Sequence, residues 1–186
     1  MNKDRKKFLI NLKKYGIEND IPNISETTGE MLSFLIKHKK VKSLLEIGCA
    51  NGYSTIWFAD ALEKTGGKMV SYDVSFPSFE EAKKNLKDTT LDHLVDFRFG
   101  DAKILLKNVK EKFDFVFIDA RKSFYHIFWQ LIKPLLTENA LVVCDDVIKF
   151  KDKMKEFYEV IEAEKEFEKC IIPVDFDDGI MLIQRK

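Results

Sequence analysis

The sequence is poor in the residues that would narrow its class at once. It has 3 Cys in 186 residues, at Cys49, Cys144 and Cys170. None forms a Cys-x-x-Cys pair, which excludes a zinc ribbon or a thioredoxin-like motif and leaves reduced thiols as the simplest state. The 4 Pro are scattered and no glycine falls between Gly100 and Gly179, so no Pro/Gly-rich linker divides the chain. Net charge is missing too, with 31 Lys+Arg against 31 Asp+Glu. Domains held mainly by a phosphate backbone tend to be strongly basic, so binding of DNA through bulk charge is not expected, although a local basic patch stays open. No apolar run approaches a membrane span, and Phe8-Leu9-Ile10 is far too short for the hydrophobic region of a signal peptide. A cytoplasmic protein, free of membrane, is the default expectation.

What is present is apolar material in regular alternation. Hydrophobic residues make up 45% of the chain and include 16 Phe, while 33% of residues are charged, a balance that argues for a real core and against disorder. One domain over 1–186 is expected, with helices over 1–40 and a ligand-binding sheet over 41–186. Strand patterns fall at 43–47, 68–73, 95–99, 113–118, 140–144, 170–174 and 180–184. Helical patterns fall at 3–14, 26–39, 53–63, 78–87, 102–107, 124–135 and 151–165. Strand alternating with helix implies parallel pairing with right-handed crossovers. The nearly continuous apolar runs at 113–118 and 140–144 suit central strands covered on both faces. The short gap Asp175–Gly179 suits an antiparallel hairpin at the end of the sheet. The expected fold is therefore α/β, a doubly wound seven-stranded sheet, mostly parallel with a C-terminal antiparallel strand and helices on both faces.

Open parallel sheets bind ligands where loops leave the carboxyl ends of their strands. The first such loop reads Glu46-Ile47-Gly48-Cys49-Ala50-Asn51-Gly52-Tyr53-Ser54. Its two glycines permit a sharp turn and close approach of a ligand, but the spacing is neither the dinucleotide fingerprint nor a P-loop. The alternative is a tight turn with a glycine cap. Asp73-Val74 ends the second strand, where a carboxylate can accept both hydrogens of a ribose diol or simply face water. Gly100-Asp101-Ala102 ends the third, with Asp101 placed to meet an adenine or to cap a helix. Asp119, with Lys122 close behind, ends the fourth, and Asp145-Asp146 ends the fifth. Neighbouring strand ends would bring Asp119, Asp145 and Asp146 together, and such carboxylates repel unless a cation or Lys122 compensates them. Oxygen ligands alone suit magnesium, manganese or calcium.

Together these residues resemble the S-adenosylmethionine-dependent O-methyltransferases of the catechol and caffeoyl-CoA type, a Rossmann-like class, from about Ser25 onward. Leu44-Leu45-Glu46-Ile47-Gly48 with Asn51-Gly52-Tyr53-Ser54 is similar to the family's cofactor loop. Phe115-Val116-Phe117-Ile118-Asp119-Ala120-Arg121-Lys122 followed by Tyr125 is the most specific piece. The resemblance implies Lys122 and Asp119 as catalytic residues and Asp119, Asp145 and Asp146 as metal ligands. It implies a cofactor site of Glu46, Gly48, Cys49, Ala50, Asn51, Gly52, Tyr53, Ser54, Asp73, Val74, Gly100, Asp101, Ala102 and Asp119. S-adenosyl-L-methionine and a divalent cation are the implied cofactors, and a homodimer is common in the family. Asp146 departs from the family's usual Asn. The turn 136–140 lacks a usual glycine pair, a role Asn139 could fill in a left-handed conformation. The stretch after Asp146 is short, which implies an open acceptor site.

Two basic clusters, Lys3, Arg5, Lys6, Lys7, Lys13, Lys14 and Lys149, Lys151, Lys153, Lys155, read first as solvated helix faces. Beside an open acceptor site they would let RNA dock, so O-methylation of a hydroxylated nucleoside is the rival to a catechol-like or phenolic small molecule, which is expected ahead of it. A nicotinamide-dependent oxidoreductase and a non-catalytic cofactor-binding protein are the readings from other classes. Tyr125, Phe128 and Trp129 are expected in the core, His126 on the helix surface, and Cys49 without a nucleophile's partners.

Overall fold

In a computed structural model describing residues 1–186, the first strands have the bounds expected from the sequence: β1 Ser43–Ile47, β2 Lys68–Asp73, β3 Val95–Phe99 and β4 Phe113–Ile118. The remaining strands are β5 Leu136–Cys144, β6 Phe167–Pro173 and β7 Gly179–Arg185. They form one 7-stranded sheet of order β3-β2-β1-β4-β5-β7-β6. Pairs from β3 through to β5 are parallel, and β7 runs antiparallel to both β5 and β6.

β5 begins earlier than its apolar run. Leu136 pairs with Phe113, and the register then shifts before Leu141 meets Phe115. This irregularity takes up the extra residues, so Asn139 is not among the residues with positive φ. The expected left-handed turn is thus replaced by a bulged strand.

The helices are α1 Lys3–Glu18, α2 Glu26–His38, α3 Tyr53–Thr65, α4 Phe76–Asp88, α5 Ala102–Leu105, α6 Tyr125–Ile132 and α7 Lys155–Ala163. Their starts follow local chemistry. Asn2, Ser25, Ser75 and Asp101 each accept a backbone N–H of the following turn, and α3 is bracketed by left-handed Gly52 and Gly66. α5 through α7 are shorter than their sequence patterns, because 3₁₀ turns take their ends at Leu106–Asn108, Lys122–Phe124, Lys133–Leu135 and Lys151–Met154.

Alternation along the central strands sends side chains to two cores. Leu44, Phe115, Phe117 and Val143 pack with Leu32, Ile56 and Phe58 of α2 and α3, and Leu9 and Leu12 of α1 join that cluster. Leu45, Ile47, Val116 and Ile118 pack with Phe128, Trp129 and Phe157 of α6 and α7. Tyr125, Phe128 and Trp129 are core residues, as their spacing indicates. His126 keeps a partly exposed position, with Nε2 at 3.1 Å from Glu156. No helix is long and apolar enough to cross a membrane.

Candidate active site

The carboxyl ends of β1, β2, β4 and β5 open into adjoining clefts. The first, of about 460 Å³, is lined by Gly48, Ala50, Asp73, Val74, Gly100, Asp101, Ala102 and Asp119, with Ile47, Phe124 and Phe128 as apolar wall. Gly48 has φ +96°, and a Cβ there would collide with the Asp119 carbonyl, so glycine is required for the β1 and β4 loops to meet. Asp73 Oδ2 accepts from the N–H of Cys49 at 3.1 Å and of Ala50 at 3.0 Å, while Oδ1 accepts from Ser75 N–H at 2.8 Å. The β2 carboxylate thereby sets the shape of the glycine loop, and Ala50 is held there at φ 44°.

Glu46, Asn51, Gly52 and Tyr53 line none of the clefts at these strand ends. Glu46 is fully buried and accepts from Ser54, Thr55 and Ser71 hydroxyls at 2.7, 2.7 and 2.6 Å. Burial pushes its carboxyl from the usual 4.5 up to about 7, against the pull of the three hydroxyls. It ties the start of α3 to β2 beneath the loop. Asn51 serves the loop's shape, accepting from Tyr53 N–H through its side chain and from Asn85 Nδ2 through its carbonyl. Gly52 lies against Ala82 of α4, and Tyr53 lines a separate cavity beside α1 and α2. Cys49 is buried, and burial raises its thiol, as it does that of Cys144.

A second cleft, of about 770 Å³, continues past Asp119 and is lined by Cys49, Ser54, Lys122 and Asp146, with Pro22, Phe150 and Lys153 at its sides. Asp119, Asp145 and Asp146 converge beside it, in an adjoining cleft, their ligand atoms all within 4.8 Å of one another. Lys122 Nζ lies 2.8 Å from Asp119 Oδ1 and 2.6 Å from Asp146 Oδ2, and donates to Tyr125 Oη at 3.1 Å. Tyr125 in turn donates to the carbonyls of Ile118 and Asp145 at 3.0 and 3.2 Å, tying together the ends of β4 and β5. Burial works against the charge of Lys122, but Tyr125, Asp119 and Asp146 outweigh it and hold the ammonium charged. Asp145 has no ion pair; burial, Asp119 and Asp146 raise its carboxyl well above the usual range. Asp146 is raised to about 6, mainly by burial, and takes a left-handed backbone with φ 61°, which Asp and Asn tolerate better than most residues.

Three carboxylates that Lys122 compensates only in part match what a hard divalent cation needs, oxygen donors and a surplus of negative charge. The apolar wall beside Asp73 likewise suits a base and its sugar. Sequence reasoning did not reach Phe124 or Lys103, whose Nζ lies 3.5 Å from the Phe124 ring centroid across the first cleft. An aromatic after Lys122 and a charge at the start of α5 were the only signals.

A family model described as O-methyltransferase matches residues 2–186. The chain belongs to the O-methyltransferase family. Among its relatives, a catechol O-methyltransferase of Niastella koreensis is 34% identical over 131 residues, which is 68% of this chain and 59% of that protein. The chain thus matches less than two thirds of that relative's length. A caffeoyl-CoA O-methyltransferase of Medicago sativa is 26% identical over 190 residues, covering 89% of this chain and 76% of the relative. Among solved structures, an O-methyltransferase from Bacillus cereus in complex with SAH superposes with a TM-score of 0.87 at 26% identity, covering 96% of this chain and 91% of that one. The family's fold and this chain's sheet agree to that extent.

Proposed function

We propose that this protein is an S-adenosylmethionine-dependent O-methyltransferase that uses a divalent cation to methylate a catechol-like or phenolic small molecule. The observation that carries the proposal is the position of Asp119, which lines the cleft of the glycine loop and the cleft of the aspartate cluster alike. A methyl donor and a metal-bound acceptor would therefore meet across one residue, which is the alignment that transfer between them requires. The donor supplies a methyl group on a sulfonium. A bound divalent cation supplies charge that stabilises a deprotonated oxygen near neutral pH.

The chain's own residues do the rest. Asp73 would accept from the ribose hydroxyls, with Phe124 and Phe128 offering apolar wall to the base. Asp119, Asp145 and Asp146 would hold the ion. Lys122, fixed by Tyr125, stabilises the attacking oxygen through its charge and hydrogen bonds. Pro22, Phe150 and Lys153 border the acceptor on a wide cleft.

Part of the charge in the basic clusters is already engaged, which weakens the support for RNA. Arg5 is buried against Asp60 and Glu63, Lys6 pairs with Glu26 and Glu30, and Lys13 donates to the carbonyls of Asn23 and Ile24. Lys149 pairs with Asp177.

Calorimetry with S-adenosylmethionine and with NAD tests the cofactor, and binding of NAD alone would overturn the reading. Labelled methyl transfer is then measured on a catechol panel and on total RNA, with and without magnesium. Asp145→Ala should abolish the magnesium-dependent turnover; unchanged turnover removes the ion from the mechanism.

A further inference from the structure

One buried carboxylate in the molecule has no role in the sheet or in the acceptor cleft as described so far. Asp178 stands in the turn from β6 to β7 and keeps 9% of its surface. Its Oδ1 accepts from the N–H groups of Gly179 at 2.7 Å, Ile148 at 3.2 Å and Lys149 at 3.2 Å. Val147 N–H donates to the Gly179 carbonyl at 3.0 Å beside them. These bonds tie the β6–β7 turn to the loop that carries Asp145 and Asp146, and one carboxylate oxygen is enough to make them.

The other oxygen has no such use. Oδ2 is buried with no donor to accept from. The side chain lines a cleft of about 230 Å³ together with Asp119, Asp145 and Asp146. An asparagine would brace the loop through the same acceptor and would spare the repulsion between two adjacent acids. The neighbouring cations are committed elsewhere, Lys149 to Asp177 at 2.9 Å and Lys122 to Asp119 and Asp146. A buried acid without a partner is costly, and its charge acts on whatever the neighbouring aspartates hold.

We propose that Asp178 is a positioning residue of the metal centre, with Oδ1 fixing the loop that aims Asp145 and Asp146 and Oδ2 adding negative charge that raises affinity for a divalent cation. The inference rests on the divalent-ion reading of the aspartate cluster given above.

The test titrates magnesium alone into the wild-type chain, Asp178→Asn and Asp178→Ala by calorimetry, with S-adenosylmethionine titrated in parallel. In Asp178→Asn the amide oxygen keeps the brace. Its melting temperature and donor affinity should match wild type, while its magnesium dissociation constant rises about tenfold or more. Asp178→Ala also frees the three N–H groups, so it should melt lower and bind magnesium more weakly still. Magnesium affinity in Asp178→Asn equal to wild type overturns the proposal and leaves Asp178 as a loop brace. A wild-type chain that binds the donor but no magnesium overturns the ion reading, and this inference with it.

Discussion

Glu46 shows how one residue can be placed correctly in a motif and still act differently from its motif's usual reading. It lies where the cofactor loop begins, yet its carboxylate points into hydroxyls of Ser54, Thr55 and Ser71. Its folded-state value near 7 lies above the ordinary 4.5, so the folded chain holds this proton more tightly than the unfolded chain does. The stability this gives is fully present below about pH 4.5 and is lost as pH rises through about 7. Between pH 5 and pH 8 the group should therefore lose stability on the order of 2–3 kcal/mol. Glu46→Gln should remove that slope, which urea titrations of both proteins at the two pH values would reveal. A parallel loss in the variant would place the slope elsewhere. At this scale the aspartates were readable because strand ends fix where Asp119, Asp145 and Asp146 stand. The inward turn of Glu46 was not, since it depends on Ser71 of β2 arriving beside it. Asp178 was visible only as part of an Asp-Gly pair, and its hydrogen bonds to Ile148 and Lys149 join segments far apart in sequence.

At the scale of elements, α1 packs against α3. Its Arg5 reaches Asp60 at 2.9 Å and Glu63 at 2.7 Å, both on α3, and donates to the Thr89 carbonyl at 3.2 Å beyond α4. A charge that reads in sequence as one of several solvated cations is thus a clamp across three segments. Removing one partner of a buried pair leaves the other uncompensated. Arg5→Ala should cost about 3 kcal/mol and lower the melting temperature by roughly 6–12 °C in a chain of this size. A scanning calorimetry trace that moves by less than a degree would mean the clamp contributes nothing net. Strands β1 to β4 were legible because short apolar or alternating stretches set between helical patterns delimit them. β5 was legible from Ala140 onward but not before, because Thr137, Glu138 and Asn139 are polar and precede the apolar run across an irregularity in the pairing with β4. The C-terminal helices were overestimated for a related reason: periodicity marks which face is apolar, but not where a helix tightens into 3₁₀.

For the whole molecule, the zero net charge conceals a division. Acidic groups gather where β4, β5 and the β6–β7 turn converge, and many basic ones are spent on pairs across the surface. The sequence could show both populations but not their pairing. Gly48 stands against the Asp119 carbonyl, with no room for a Cβ between them. The backbone that shapes the cleft proposed for the donor would also be the backbone behind a ligand of the proposed ion. Two binding events that share a wall are linked, and linkage has no preferred direction. Whatever factor saturating S-adenosylmethionine imposes on the magnesium dissociation constant, saturating magnesium must impose on that of the donor. Titrating each in the presence of the other should give a shared factor that differs from one. A factor of one would mean that the two loops meet without communicating, and the enzyme would then load its two ligands in any order with equal ease.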